Sequence, residues 1–187
     1  NVAIGYDDIG LYISRDSNPA KDERTWWEWA YWGMLWKDKF ETRAIVYDPK
    51  VRNRLYVGTM GNVYTADYQA GKDKLWKLYR SDDGGVTFNH IGPDTSRVVQ
   101  DLINAGAGNK FAFGFQSIAI DPVDNNVIYA ATPGNMYKTT DGGKSWEKIL
   151  YRDDKSGAID LSLDTNNPQV LYATLWESYR VAHMMSS

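Results

Sequence analysis

The 187-residue chain has no cysteine. That absence removes disulfides, thiolate metal sites and a thiol nucleophile together. It has only two histidines, His90 and His183, and neither has neighbours at metal-ligand spacing, so no metal and no cofactor is expected. Basic charge is not in excess: 21 Lys and Arg face 24 Asp and Glu, for a net charge of -3. With no basic stripe to track a phosphate backbone, nucleic acid is not an expected partner. No apolar run approaches the roughly 20 residues that cross a bilayer, so no membrane span is expected. The n-region and h-region of a signal peptide are also missing. The first residue is Asn1 rather than Met, which is compatible with a removed leader or with a piece internal to something longer.

What the chain does have is aromatic bulk, 14% of residues with 8 Trp and 13 Tyr, within a 43% hydrophobic composition suited to a folded domain with a sizeable core. Aromatic and β-branched side chains favour strands, so an all-β protein is expected. Internal repeats sharpen this. "LYRSDDGGVTFNHI" (78–91) aligns with "MYKTTDGGKSWEKI" (136–149), placing Ser81 on Thr139, Asp83 on Asp141, Gly85 on Gly143 and Phe88 on Trp146. A degenerate third copy is "LYISRDS" (11–17), with Asp16 in the aspartate's place.

A second motif accompanies the first. "AIVYDPKVRNRLYVGT" (44–59), "SIAIDPVDNNVIYAAT" (117–132) and "DLSLDTNNPQVLYATL" (160–175) each read as strand, polar turn, strand. Asx side chains bond the backbone ahead of them and proline presets φ, which suits Asp48-Pro49, Asp121-Pro122 and Asp164-Thr165 to the turns. Together the motifs make a four-stranded meander, the unit of a propeller blade. Blade parts are expected at 1–40, 41–92 and 115–150, with a half blade at 158–187. A long loop, 93–114, separates the second from the third, and 98–103 within it could form one helical turn.

In the Ser/Thr-x-Asp-x-Gly-x-x-aromatic pattern the carboxylate can accept amide bonds from its own hairpin loop. The glycines allow positive φ, and the aromatic folds back on the sheet. A structural staple is therefore the expected role of Asp83 and Asp141, each repeated copy using the same parts. Calcium is the alternative for "DDGG", but the EF-hand spacing is not met. "SDDGGVTF" and "TTDGGKSW" resemble the Asp-box, or BNR repeat, of sialidase-like and sortilin-like β-propellers. The stretch 136–180 is similar to secreted bacterial Asp-box propellers related to the sortilin N-terminal domain. The resemblance implies an all-β propeller and an extracytoplasmic or secreted location. For function it is broad, embracing sialidases, xyloglucan hydrolases, sorting receptors and assembly factors.

Ring closure needs about 4 to 8 blades, and this chain offers fewer, so it is expected to be part of a larger propeller whose other blades come from the same or another chain. "GYDDIGLYISRD" (5–16) resembles the segment carrying a catalytic aspartate in xyloglucan-cleaving glycoside hydrolases. Asp8-Ile9-Gly10 matches in letters, whereas counting back from Leu11-Tyr12 selects Asp7. A two-carboxylate glycosidase needs a second acid about 5 to 10 Å away, which an opposite blade would supply. "TWWEWAYWGMLW" (25–36) holds five of the eight tryptophans. Its alternation puts part of it in the core, and leaves Trp32 and Trp36 as candidate platforms for stacking on a ligand. "GAGNKFAFG" (106–114) lacks Walker spacing. Nothing in the contexts of Arg43, Arg54, Arg80 and Arg97 singles out a sialidase arginine triad. The expected function is a binding or scaffolding module for a protein or glycan, with 65–77 and 93–110 as contact loops. The rival is a β-glucan hydrolase using Asp7 or Asp8.

Overall fold

The computed structural model describes residues 2–6, 10–14, 27–29, 41–60, 77–96, 114–132, 135–150 and 156–177. Among the described residues thirteen strands form antiparallel sheets laid out in chain order. β1 (Val2–Tyr6), β2 (Gly10–Ser14) and β3 (Trp27–Trp29) make the first sheet. β4 (Glu41–Tyr47), β5 (Leu55–Met60), β6 (Leu78–Ser81) and β7 (Asn89–His90) make a four-stranded meander. The same meander recurs in β8 (Ser117–Ile120), β9 (Ile128–Thr132), β10 (Asn135–Thr139) and β11 (Glu147–Leu150). β12 (Ser156–Leu163) and β13 (Leu171–Glu177) form a two-stranded sheet. The helical turn expected at 98–103 lies outside the described residues.

The second and third sheets are covered on both faces by their neighbours, and for that reason their inner strands read as nearly continuous apolar runs rather than as alternating ones. Side chains still point alternately to the two sides. Ile45 and Tyr47 pack toward the first sheet, with Leu11, Ile13, Leu55, Val57 and Tyr79. Ala44 and Val46 pack toward the third, with Tyr56, Leu78, Phe115, Ile118, Ile120, Ile128 and Ala130. The opposite face of the third sheet, with Ala119, Tyr129, Ala131 and Met136, meets Ala158, Leu161 and Leu163 of the fourth. The core is therefore a series of seams between sheets. Among the described residues the array is open and does not close on itself.

Close approach at one seam depends on a missing side chain. A Cβ on Gly58 would lie 2.6 Å from Cβ of Phe115, so Phe115, itself fully buried, approaches β5 this closely only because residue 58 is glycine.

Strand alternation sorts the connections into two ends. The turns 48–54, 82–88, 121–127, 140–146 and 164–170 lie at one of them. Contacts between adjacent sheets place these turns together: Asn125 Nδ2 donates to Asp48 at 3.0 and 3.2 Å, Lys50 Nζ donates to the Val123 carbonyl, and Arg80 Nη1 donates to the Gly142 carbonyl at 3.3 Å. The chain leaves β1, β3, β5, β7, β9 and β11 at the other end.

Candidate functional site

At the turn end, the two glycine turns repeat the same set of bonds. Val86 and Thr87 amides donate to Asp83 Oδ1 at 3.0 and 2.9 Å, and Thr87 Oγ1 donates to Oδ2 at 2.6 Å. Lys144 and Ser145 amides both donate to Asp141 Oδ1 at 2.9 Å, and Ser145 Oγ donates to Oδ2 at 2.6 Å. Ser81 and Thr139 hydroxyls donate to their aspartates at 2.8 and 2.7 Å while accepting the Gly85 and Gly143 amides at 2.7 and 3.0 Å. Both glycines of each turn have positive φ: 76° and 87° at Gly84 and Gly85, 71° and 94° at Gly142 and Gly143.

Phe88 packs into the first seam and Trp146 into the second. Trp146 Nε1 also donates to the Ile91 carbonyl of the preceding sheet at 2.6 Å. The Gly84 and Gly142 amides tie each glycine turn to the neighbouring polar turn through the carbonyls of Asn53 and Asn126, at 2.8 and 3.0 Å.

The polar turns use their aspartates in the same way. Asp121 Oδ1 accepts the amides of Val123 and Asp124 at 2.7 and 3.1 Å, and Asp164 Oδ1 those of Asn166 and Asn167 at 2.8 and 3.1 Å. Asp48 carries most. Its side chain has no exposed surface, and it accepts the Lys50 and Val51 amides at 2.8 and 2.9 Å, the Asn125 side-chain amide, and the Arg54 guanidinium at 3.5 Å. Arg54 and Arg80 both also reach Asp82, at 2.5 and 3.2 Å. A shallow depression of about 220 Å³ lined by Tyr47, Asp48, Val51, Arg52 and Asn53 opens here. Its carboxylate is already fully engaged.

These bonds set the protonation behaviour. Burial pushes Asp48 and Asp83 up, yet the donors around them outweigh it and hold both below the ordinary aspartate value. Asp141 is lowered first by the Ser145 hydroxyl and amide and the Thr139 hydroxyl. Burial lowers His90, as does the charge of Lys77, and pushes Tyr137 up to about 12.

Unfolded carboxylates, near 3.8, take up protons before the native ones do, so stability is present above that value and is lost as pH falls through the native values. His90 adds an earlier, shallower loss, because the unfolded imidazole, near 6.5, charges before the native one. Thermal melts followed by circular dichroism are expected to show a gentle decline of Tm below pH 6.5 and a steep one below about pH 4. An Asp83→Asn/Asp141→Asn variant should have a lower Tm at neutral pH and a flatter acid limb. An unchanged acid limb would detach these carboxylates from acid stability.

Asp16, Asp7, Asp8, Trp32 and Trp36 lie outside the described residues. The structure thus brings together Asp48, Arg54, Arg80, Asp82 and Asn125, of which sequence reasoning assigned only Asp48, as a turn residue. The signal for Asn125 was its fifth place in the repeated polar turn, where arginine and proline stand in the other copies.

The seams and the repeated meanders define the chain as a stretch of β-propeller fold. No family model matches it. Among curated proteins it is similar to the vacuolar protein sorting/targeting protein 10 of Kluyveromyces lactis, 27% identical over an alignment of 143 residues, with 73% of this chain and 8% of that one covered. It is also similar to a xyloglucanase of Hypocrea jecorina, 24% identical over 158 residues, 74% of this chain and 16% of the other. Among solved structures, an ancestral GH74 enzyme matches 92% of this chain with 21% of its own, at a TM-score of 0.59 and 17% identity. The GH74 xyloglucanase of Xanthomonas campestris matches 89% with 23%, at a TM-score of 0.50 and 15% identity. The chain spans under a quarter of the length of each.

Proposed function

We propose that this chain is part of an extracytoplasmic Asp-box β-propeller acting as a binding or scaffolding module, with a protein or glycan engaged at the loop end of the sheets. One observation supports it above the others. The aspartates of the repeated turns, Asp48, Asp83, Asp121, Asp141 and Asp164, are each held by the amides of their own turn. They are committed to shape and are poor candidates for acid–base chemistry on a substrate. The expected contact loops, 65–77 and 93–110, lie largely outside the described residues, and loops on a rigid scaffold commonly carry recognition.

A second reading, a glycoside hydrolase acting on a β-glucan such as xyloglucan, is favoured by the similarity to a protein named xyloglucanase and to GH74 enzymes. It would use Asp7 or Asp8 with a second carboxylate on another blade. Incubating the intact protein with a glycan array and, separately, with xyloglucan distinguishes the readings. The binding module retains a ligand and releases no reducing ends, in the parent protein and in Asp7→Asn and Asp8→Asn variants alike. Release of reducing ends that disappears in either variant would replace the first reading with the second.

A further inference from the structure

Both staple turns contain an aspartate followed directly by glycine, Asp83-Gly84 and Asp141-Gly142. Such a pair is chemically labile, because glycine has no Cβ to hinder ring closure through its own nitrogen. The glycine nitrogen attacks Cγ of the aspartate and gives up its proton, the carboxyl group loses one oxygen as water, and a five-membered imide forms. Water then opens the imide at either carbonyl. One opening restores aspartate, and the other yields isoaspartate, in which the main chain runs through the side-chain methylene. The water lost in the first step returns in the second, so no further reactant is needed.

In the folded turns both reacting groups are engaged elsewhere. The Gly84 amide donates to the Asn53 carbonyl at 2.8 Å and the Gly142 amide to the Asn126 carbonyl at 3.0 Å, and the two asparagines occupy the same place after Asp48 and Asp121. Each carboxylate is held by amides three and four residues ahead, those of Val86 and Thr87 for Asp83 and of Lys144 and Ser145 for Asp141. The Thr87 and Ser145 hydroxyls take the second oxygen. For the ring to close, the glycine amide must leave its carbonyl, and the carboxylate must leave its donors and take up a proton. Those bonds are lost together only when the turn opens.

We propose that Asp83-Gly84 and Asp141-Gly142 are latent isomerisation sites, silent while their turns are closed and converted to isoaspartate when a turn opens. The product does not fit back. Isoaspartate lengthens the main chain by one methylene and leaves its carboxylate directly on Cα, away from the amides that the aspartate gathers. The Ser81 and Thr139 hydroxyls, which donate to these aspartates and accept the Gly85 and Gly143 amides, lose the same partner. Phe88 and Trp146, which follow the two turns and pack into the seams, are displaced with them. A transient opening thereby becomes a permanent defect at the seam.

Peptide mapping of the intact protein, incubated at neutral pH in native buffer and in guanidinium chloride, tests this with isoaspartate at each site as the readout. Both sites are expected to isomerise in denaturant, and at least about tenfold more slowly in native buffer, where only the opened fraction reacts. Equal rates in the two buffers, or no isoaspartate in denaturant, overturn the proposal. The second copy of the turn serves as an internal control. Ser145→Ala removes the hydroxyl 2.6 Å from Asp141 Oδ2. It should raise native isomerisation at Asp141 about three- to tenfold, the effect of losing one hydrogen bond to a charged acceptor in an exposed turn, and leave Asp83 unchanged. Thr87→Ala, which removes the matching hydroxyl from Asp83, should do the reverse. Rates that rise together at both sites, or at neither, overturn the proposal as well, by showing that the turns are not the gates.

Discussion

Replacing Asp48 with alanine is expected to cost about 3–5 kcal/mol of unfolding free energy, the range for removing one partner of a buried, hydrogen-bonded ion pair. The side chain has no exposed surface, and its removal leaves every donor around it without that acceptor. Those donors are the Lys50 and Val51 amides, the Asn125 side-chain amide from the next sheet, and Arg54. Arg54 retains Asp82, which places the loss at the lower part of the range. Asn125→Ala should cost only about 1–2 kcal/mol, since it removes one charged-acceptor hydrogen bond and leaves the turn intact. In a double-mutant cycle by urea unfolding the two should be strongly non-additive, because they share a bond across the seam. Additive losses would mean that Asp48 serves its own turn alone.

Phe115→Ala should cost a similar amount, about 3–5 kcal/mol, as a large apolar side chain is removed from the centre of a seam. Phe115 is fully buried among Tyr56, Leu78, Ile118 and Ala130, and its backbone amide also donates across to the Thr59 carbonyl at 3.3 Å. The sheets on either side are held by further contacts and cannot collapse freely into the space. Gly58→Ala attacks the same contact from the other side. Its new Cβ would meet the Cβ and carbonyl oxygen of residue 115 at 2.6 and 3.1 Å, atoms that alanine keeps, so Phe115→Ala should not rescue it. A rescued double variant would show that the ring rather than the backbone approach is what residue 58 accommodates.

Position 85 behaves differently. A Cβ on Gly85 would strike Cδ1 of Ile13, the far end of a side chain, so Ile13→Val would relieve the contact. The backbone φ of 87° would remain, and a left-handed conformation is strained for any residue with a Cβ. Gly85 is thus constrained twice, by its own turn and by the sheet before it, and only the first constraint can be read from "SDDGG".

Local chemistry is written plainly in this sequence. Alternating and apolar runs rich in Val, Ile and Tyr require strands, the Asp-Pro and Asp-Gly-Gly segments require turns, and their repetition requires equivalent sheets, because bonds between residues two to four apart depend only on the residues that make them. Partners across a seam were another matter. That Asn125 should meet Asp48, Trp146 the Ile91 carbonyl, or Gly58 the backbone and Cβ of Phe115 depends on how one sheet sits on the next. The register within a blade is set by neighbours in the chain, whereas burial is set by surfaces that only meet once the sheets have stacked, and no local pattern encodes which surface that will be.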